Sequence, residues 1–175
     1  MHLFWIASRA AGTLALLLSS ASVAIGLMQG LRLAVPGARD LRPLHEALSL
    51  ATLAAIGFHG AVLLGDSFMS PSIADLTIPF VSSYQRGWTT LGILSGWALI
   101  ALGLSYYHRA RIGVARWRRL HRFTALAWLA GLVHALGEGT DASQAWFLLA
   151  VAIAVAPALV LLLVRPINHL REGIS

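Results

Sequence analysis

Apolar residues run along this chain in five long blocks separated by short polar connections. The blocks cover about residues 10–33, 44–64, 88–107, 120–136 and 145–164. A helix needs roughly 20 apolar residues to cross a bilayer. The pattern therefore predicts an all-α integral membrane protein: a five-span helix bundle, one domain over residues 1–175. The fourth block is the shortest, with Arg122 and His134 near its ends. The longest connection, Asp66 to Arg86, contains Pro71 and Pro79 and a semi-apolar piece from Ile73 to Val81. Proline there argues against a sixth span. A short interfacial segment is expected, either a packed surface loop or a lid over a site at the outer leaflet. The first block resembles a secretory signal in part, with Leu14–Leu18 as its apolar core and Ser22-Val23-Ala24 as a cleavage-like site. The apolar run continues through Ile25, Leu27 and Leu31, and Arg9 is the only early basic residue. A retained helix is therefore expected.

Composition sharpens this picture. Hydrophobic residues make up 58% of the 175 positions and charged residues 11%, against a usual charged share of about 25%. A soluble enzyme, a nucleic-acid module and a disordered chain all fit poorly. The 13 basic residues are all arginine, and the sequence pI is 11.3. Five spans would put Arg32, Arg39, Arg42, Arg109, Arg111, Arg116, Arg118, Arg119, Arg122, Arg165 and Arg171 on one side, with only Arg9 and Arg86 on the other. The positive-inside rule makes the first side cytoplasmic, so the amino terminus is expected outside and the carboxyl terminus inside. The basic excess thus marks a membrane face, and no nucleic-acid partner is expected. A multi-pass protein of the plasma membrane, with the lipid bilayer as its first partner, is the expected setting. Cysteine is absent. Disulfides, Fe–S clusters, thiolate-bound heme and cysteine zinc sites are excluded.

Metal chemistry then rests on seven histidines and seven acids. Ionisable groups inside spans are costly and mark functional sites by default. His45 and His59 lie in the second block, and His121 and His134 in the fourth. Separations of 14 and 13 residues correspond to roughly 21 and 20 Å along a helix. Each helix would hold one histidine near each leaflet. The second and fourth spans run parallel, so His45 pairs with His121 and His59 with His134. Two imidazoles facing across a helix gap suit a six-coordinate heme, whose macrocycle supplies four nitrogens and the protein two. One geometric test is half met: on an ideal helix His45 and His59 are offset by about 40°, but His121 and His134 by about 140°. Packing histidines bonded to serines or backbone are one alternative. A zinc or proton pathway is another, although the pairs are too far apart to share one metal. His2, His108 and His169 read as surface residues, Glu46 and Glu138 as ordinary acids at span ends, and Tyr84, Trp88, Tyr107 and Trp117 as an aromatic belt.

The run Trp117-Arg118-Arg119-Leu120-His121-Arg122, with His134 beyond it, resembles the ferric reductase-like transmembrane family. That family includes NADPH oxidases, eukaryotic ferric reductases and the heme subunit of the bacterial periplasmic methionine sulfoxide reductase system. Its hallmark is H-x13-H on one helix and H-x12-H on a later parallel one, and both spacings occur here. Pro79-Phe80 before the third span adds to the likeness. The resemblance implies two b-type hemes, the inner on His45 and His121 and the outer on His59 and His134. It implies a cytochrome carrying electrons across the membrane, an oxidoreductase component with no acid, base or nucleophile of its own. NADPH oxidases carry six spans and a FAD/NADPH domain. Here five spans are expected, 11 residues follow Val164, and no G-x-G-x-x-G occurs. The donor is accordingly expected to be a separate flavoprotein, a loosely associated flavin or a membrane quinol. The acceptor is expected outside the membrane, as ferric iron or a redox protein. Arg9 is unexplained by topology and is expected to bind the outer heme's propionate; Arg42, Arg119 and Arg122 are candidates for the inner one. Two rival readings stand beside this: a quinol-oxidising heme subunit feeding an extracytoplasmic reductase, and a non-redox transporter or scaffold whose histidines bind protons or metal.

The absence of native cysteine makes the topology directly testable. Ser70→Cys should react with an impermeant maleimide in intact cells, and Arg111→Cys only after permeabilisation. The reverse pattern overturns the orientation.

Overall fold

The computed structural model describes residues 3–31, 33 and 40–172, with side chains as far as Val164. The expectations for His2, Arg32 and Arg39, and for the side chains of Arg165, His169 and Arg171, lie outside those residues. The described chain is helical, and no strand occurs among the described residues. The elements are α1 (Leu3–Gly30), α2 (Arg42–Leu63), α3 (Ile73–Thr77) and α4 (Arg86–Leu104). A 3-10 turn over Ser105–His108 leads into α5 (Arg109–Ile112), followed by α6 (Val114–His121), α7 (Thr124–Glu138) and α8 (Ala145–Glu172).

Four helical stretches are long and apolar enough to cross a membrane: Leu3–Gly30, Arg42–Leu63, Arg86–Ile112 and Ala145–Val164. The fourth sequence block behaves differently from expectation. It is two helices, broken at Arg122–Phe123. The amide of Phe123 donates to Leu120 O at 2.9 Å, a tight three-residue step, and Thr124 Oγ1 caps His121 O at 2.6 Å. Those bonds satisfy backbone groups that the break would otherwise leave open. The 15 residues of α7 reach only about 22 Å at 1.5 Å per residue.

Helix α1 is the hub of the bundle. Of its apolar window 44% is buried, against 11% for α2 and for the α4 stretch. It packs along α2 on one side and along α7 and α8 on the other, while α4 packs on α7. The core lies where α1, α7 and α8 meet, at Leu16, Ala24, Trp128, Leu132, Phe147, Val151, Val155 and Ala158. Trp128 is 1% exposed, and its indole N–H donates to the buried Ser20 Oγ at 3.0 Å. Ser20 in turn donates to Leu16 O at 2.7 Å, so this polar pair is fully satisfied inside an apolar core. Phe58, Leu94 and Leu149 are exposed, as expected of helices solvated by lipid tails.

The long connection contains one short helix. Ser72 and Asp75 form a reciprocal capping box that starts α3. The Ser72 hydroxyl and amide both donate to Asp75 and hold its carboxyl below the usual pKa. Of the piece expected over Ile73–Val81, only Ile73–Thr77 is helical. Trp97 Nε1 on α4 donates to Thr77 O at 2.9 Å and fastens this segment to the bundle.

Replacing Ser20 by Ala should lower unfolding stability by about 1–3 kcal/mol, because the Trp128 N–H is then buried without a partner. Ser19→Ala should cost less, since its hydroxyl only adds a second bond to Leu16 O. Thermal unfolding of detergent-solubilised protein reads both.

Candidate functional site

All four histidines face cavities inside the bundle. His59 and His134 line one of about 630 Å³, and His45 and His121 line another of about 360 Å³. Both volumes fall in the range of ligand pockets, about 300–1,000 Å³. The two cavities share Ser19 and Leu99 in their walls, so a thin layer of side chains divides them.

Three histidines are held by one device. Nδ1 of His59 lies 2.8 Å from Ser8 O, Nδ1 of His45 lies 2.9 Å from Ser22 O, and Nδ1 of His134 lies 2.9 Å from Trp88 O. A carbonyl can only accept, so each Nδ1 carries the proton. The other ring nitrogen, Nε2, is then left with a free lone pair, the form a metal ligand needs. Four residues after each carbonyl stands a glycine: Gly12, Gly26 and Gly92. The reason is steric. A helical Cβ leans toward the amino terminus, over the carbonyl one turn earlier. A Cβ at Gly12 or Gly26 would stand 3.1 Å from the His59 or His45 ring, and one at Gly92 only 2.6 Å from His134. Glycine opens the backbone to the imidazole.

On α1 the device is duplicated. Ser8 and Gly12 serve His59, and Ser22 and Gly26 serve His45. The two copies are 14 residues apart, as are the histidines they hold. That near-whole number of turns keeps both contacts on the α1–α2 seam. The serine hydroxyls add to each site, Ser8 Oγ at 2.9 Å from His59 Nδ1 and Ser22 Oγ at 3.1 Å from His45 Nδ1.

His121 lacks this device, and His134 carries an addition to it. His121 ends α6, stacks on Trp117 at 5.0 Å and has no partner for Nδ1. Leu102 O lies within weak hydrogen-bonding reach of the ring and also accepts Ser105 Oγ at 2.6 Å. The residue four places on is Tyr106, with no glycine to clear the approach. His134 has Trp88 O and, in addition, Glu138 Oε2 at 3.1 Å from the same nitrogen. Glu138 Oε1 accepts from Thr89 Oγ1 at 3.0 Å.

The break at Arg122–Phe123 separates the two histidines of the fourth block. Their 140° ideal offset therefore never applies, because they sit on different helices. The ring centres of His45 and His121 are 6.3 Å apart, with planes at 88°. A metal–imidazole bond is about 2.0–2.1 Å and a ring nitrogen lies about 1.1 Å from its centre, so two imidazoles bound to opposite sides of one metal stand about 6.3 Å apart. The ring-centre distance of the pair is compatible with both imidazoles reaching one metal. Among the described residues no three His, Asp or Glu side chains converge as a self-sufficient metal site.

Arg9, expected to bind a propionate of the outer heme, has a partner within the chain. It lines the larger cavity, but its guanidinium is bidentate to Asp141, with Nε at 3.0 Å from Oδ2, and it lies over the Trp5 ring at 4.1 Å. The anion that a half-buried arginine requires is thus supplied by the chain itself. Arg42 and Arg122 line the smaller cavity, whereas Arg119 does not, and Arg42 pairs with the exposed Asp40. Tyr107 donates to Glu46 at 2.9 Å. His108 is exposed. Comparison of the chain with protein-family models, curated proteins and solved structures finds no match.

A substitution series tests the carbonyl device. Gly92→Ala should destabilise most, by about 1–3 kcal/mol from overpacking, with Gly12→Ala and Gly26→Ala milder. Gly60→Ala meets nothing within 4 Å and should be neutral or stabilising by up to about 1 kcal/mol. Equal effects at all four positions would remove the steric argument.

Proposed function

We propose that this protein is a di-heme b-type membrane cytochrome, similar in plan to the ferric reductase-like family, which carries electrons across the plasma membrane. The observation that carries this reading is the set of paired histidines, one pair in each of two cavities along the bundle. Three of the four are fixed in the tautomer that offers Nε2. His45 and His121 would hold the inner iron, His59 and His134 the outer. Each heme supplies a one-electron iron couple.

The chain's own residues supply the rest. Backbone carbonyls of Ser8, Ser22 and Trp88 orient the rings and raise their basicity as ligands. Gly12, Gly26 and Gly92 keep the bundle open where the rings enter. The shared Ser19–Leu99 layer keeps the two compartments adjacent. In this reading the end of α6 and the whole of α7, over the block expected at residues 120–136, make the fourth crossing along the chain. The amino terminus lies outside and the carboxyl terminus in the cytoplasm. Arg109, Arg111, Arg116, Arg118 and Arg119 then gather on the cytoplasmic face beside His121. Electrons would enter there from a separate flavoprotein, a flavin or a membrane quinol, and would leave near His59 and His134 to ferric iron or a redox protein outside.

Purified protein should contain two hemes per chain, with a Soret band and sharp visible bands on reduction. His45→Ala and His59→Ala should each lose about half of the heme, from different centres. A colourless preparation, or full heme content in both variants, sinks the proposal.

A further inference from the structure

Three of the four candidate ligands share one kind of support, and His121 is the exception. His45 and His59, both on α2, have equivalent surroundings: a serine carbonyl and the same serine's hydroxyl at Nδ1. The α2 side therefore offers the two centres the same kinds of Nδ1 partner, and the larger difference lies on the α6–α7 side. His121 Nδ1 has no partner. His134 Nδ1 has a carbonyl at 2.9 Å and a carboxylate oxygen at 3.1 Å.

The carboxylate is built in. Glu138 lies one turn beyond His134, and its side chain is 17% exposed. Thr89 Oγ1 from the facing helix pins Oε1 at 3.0 Å. Oε2 is shielded and has no hydrogen bond of its own, which leaves it against the ring. Its charge is not cancelled nearby. Arg9, the basic residue on the same cavity wall, is engaged by both oxygens of Asp141. Among the described residues, no arginine pairs with Glu138.

We propose that Glu138 is a positioning residue that makes the outer, His59–His134 iron the lower-potential centre of the two. The inference rests on the di-heme reading above. A carboxylate against the outer nitrogen of a metal-bound imidazole increases the electron donation of that ligand. More donation, and a fixed negative charge in a low-dielectric site, favour the ferric over the ferrous state. His121 has no carboxylate against its ring, so the inner iron receives no such added donation. The outer centre is then the stronger reductant, so the inner-to-outer step runs uphill in potential and is drawn forward by the acceptor outside.

Redox titration of the purified, heme-loaded protein tests this, using Glu138→Gln, which keeps size and polarity, and Thr89→Val, which frees the carboxylate. Wild type should show two midpoint potentials. Glu138→Gln should raise the lower one and leave the higher unchanged, and Thr89→Val should move it less in the same direction. In the His45→Ala background, where only the outer heme remains, Glu138→Gln should still raise the potential; in His59→Ala it should not. Low-temperature EPR should show a change in the g-values of one ferric species only. Two hemes with potentials that Glu138→Gln leaves in place overturn this inference while the di-heme reading stands. A shift confined to the His59→Ala background also overturns it. A protein with no heme overturns both.

Discussion

Every feature of the site depends on a hydrogen bond between an imidazole Nδ1–H and a helical backbone carbonyl. Such a carbonyl has a second lone pair even when it serves the helix ladder. A neighbouring helix can use that lone pair only if the residue four places on lacks a side chain. Ser8, Ser22 and Trp88 meet this condition through Gly12, Gly26 and Gly92. The bond costs no charge inside the membrane, sets the tautomer, and locks the ring against rotation. Where the glycine is missing, at Tyr106, His121 is left without a partner at Nδ1.

The constraint shapes the bundle as well as the ring. Two carbonyl contacts 14 residues apart hold α1 and α2 in one antiparallel register. The opposite face of α1 is free for the core around Trp128, whose indole is tied to Ser20. One helix thus orders two histidines on one side and the apolar core on the other. This is why α1 is the most enclosed of the long helices while α2 and α4 turn large apolar side chains outward. The glycine-rich α4–α7 seam gives His134 the same treatment.

The site also divides its charges. Arg9 and Asp141 neutralise each other at one wall of the larger cavity. Glu138 stands unneutralised at another, against His134. Buried charge is expensive, so the chain places it where a neighbour uses it. An arginine that looks unpaired in sequence needs no external anion once a carboxylate 132 positions away folds beside it.

Much was legible from the amino-acid pattern alone. Apolar blocks determined helices long enough for a membrane, because nothing else buries such a run with its backbone satisfied. The 14-residue spacing placed His45 and His59 on one face by helix arithmetic. The duplicated Ser-x3-Gly on α1 was equally readable, since its spacing matches that of the histidines. Other features came only with the tertiary structure. The break at Arg122–Phe123 depends on local bonds to Leu120 O and His121 O that no apolar periodicity reports. The pairing of Arg9 with Asp141, and the asymmetry between His121 and His134, depend on which helices meet. Sequence spacing determines which residues share a face of one helix; only packing decides what that face meets.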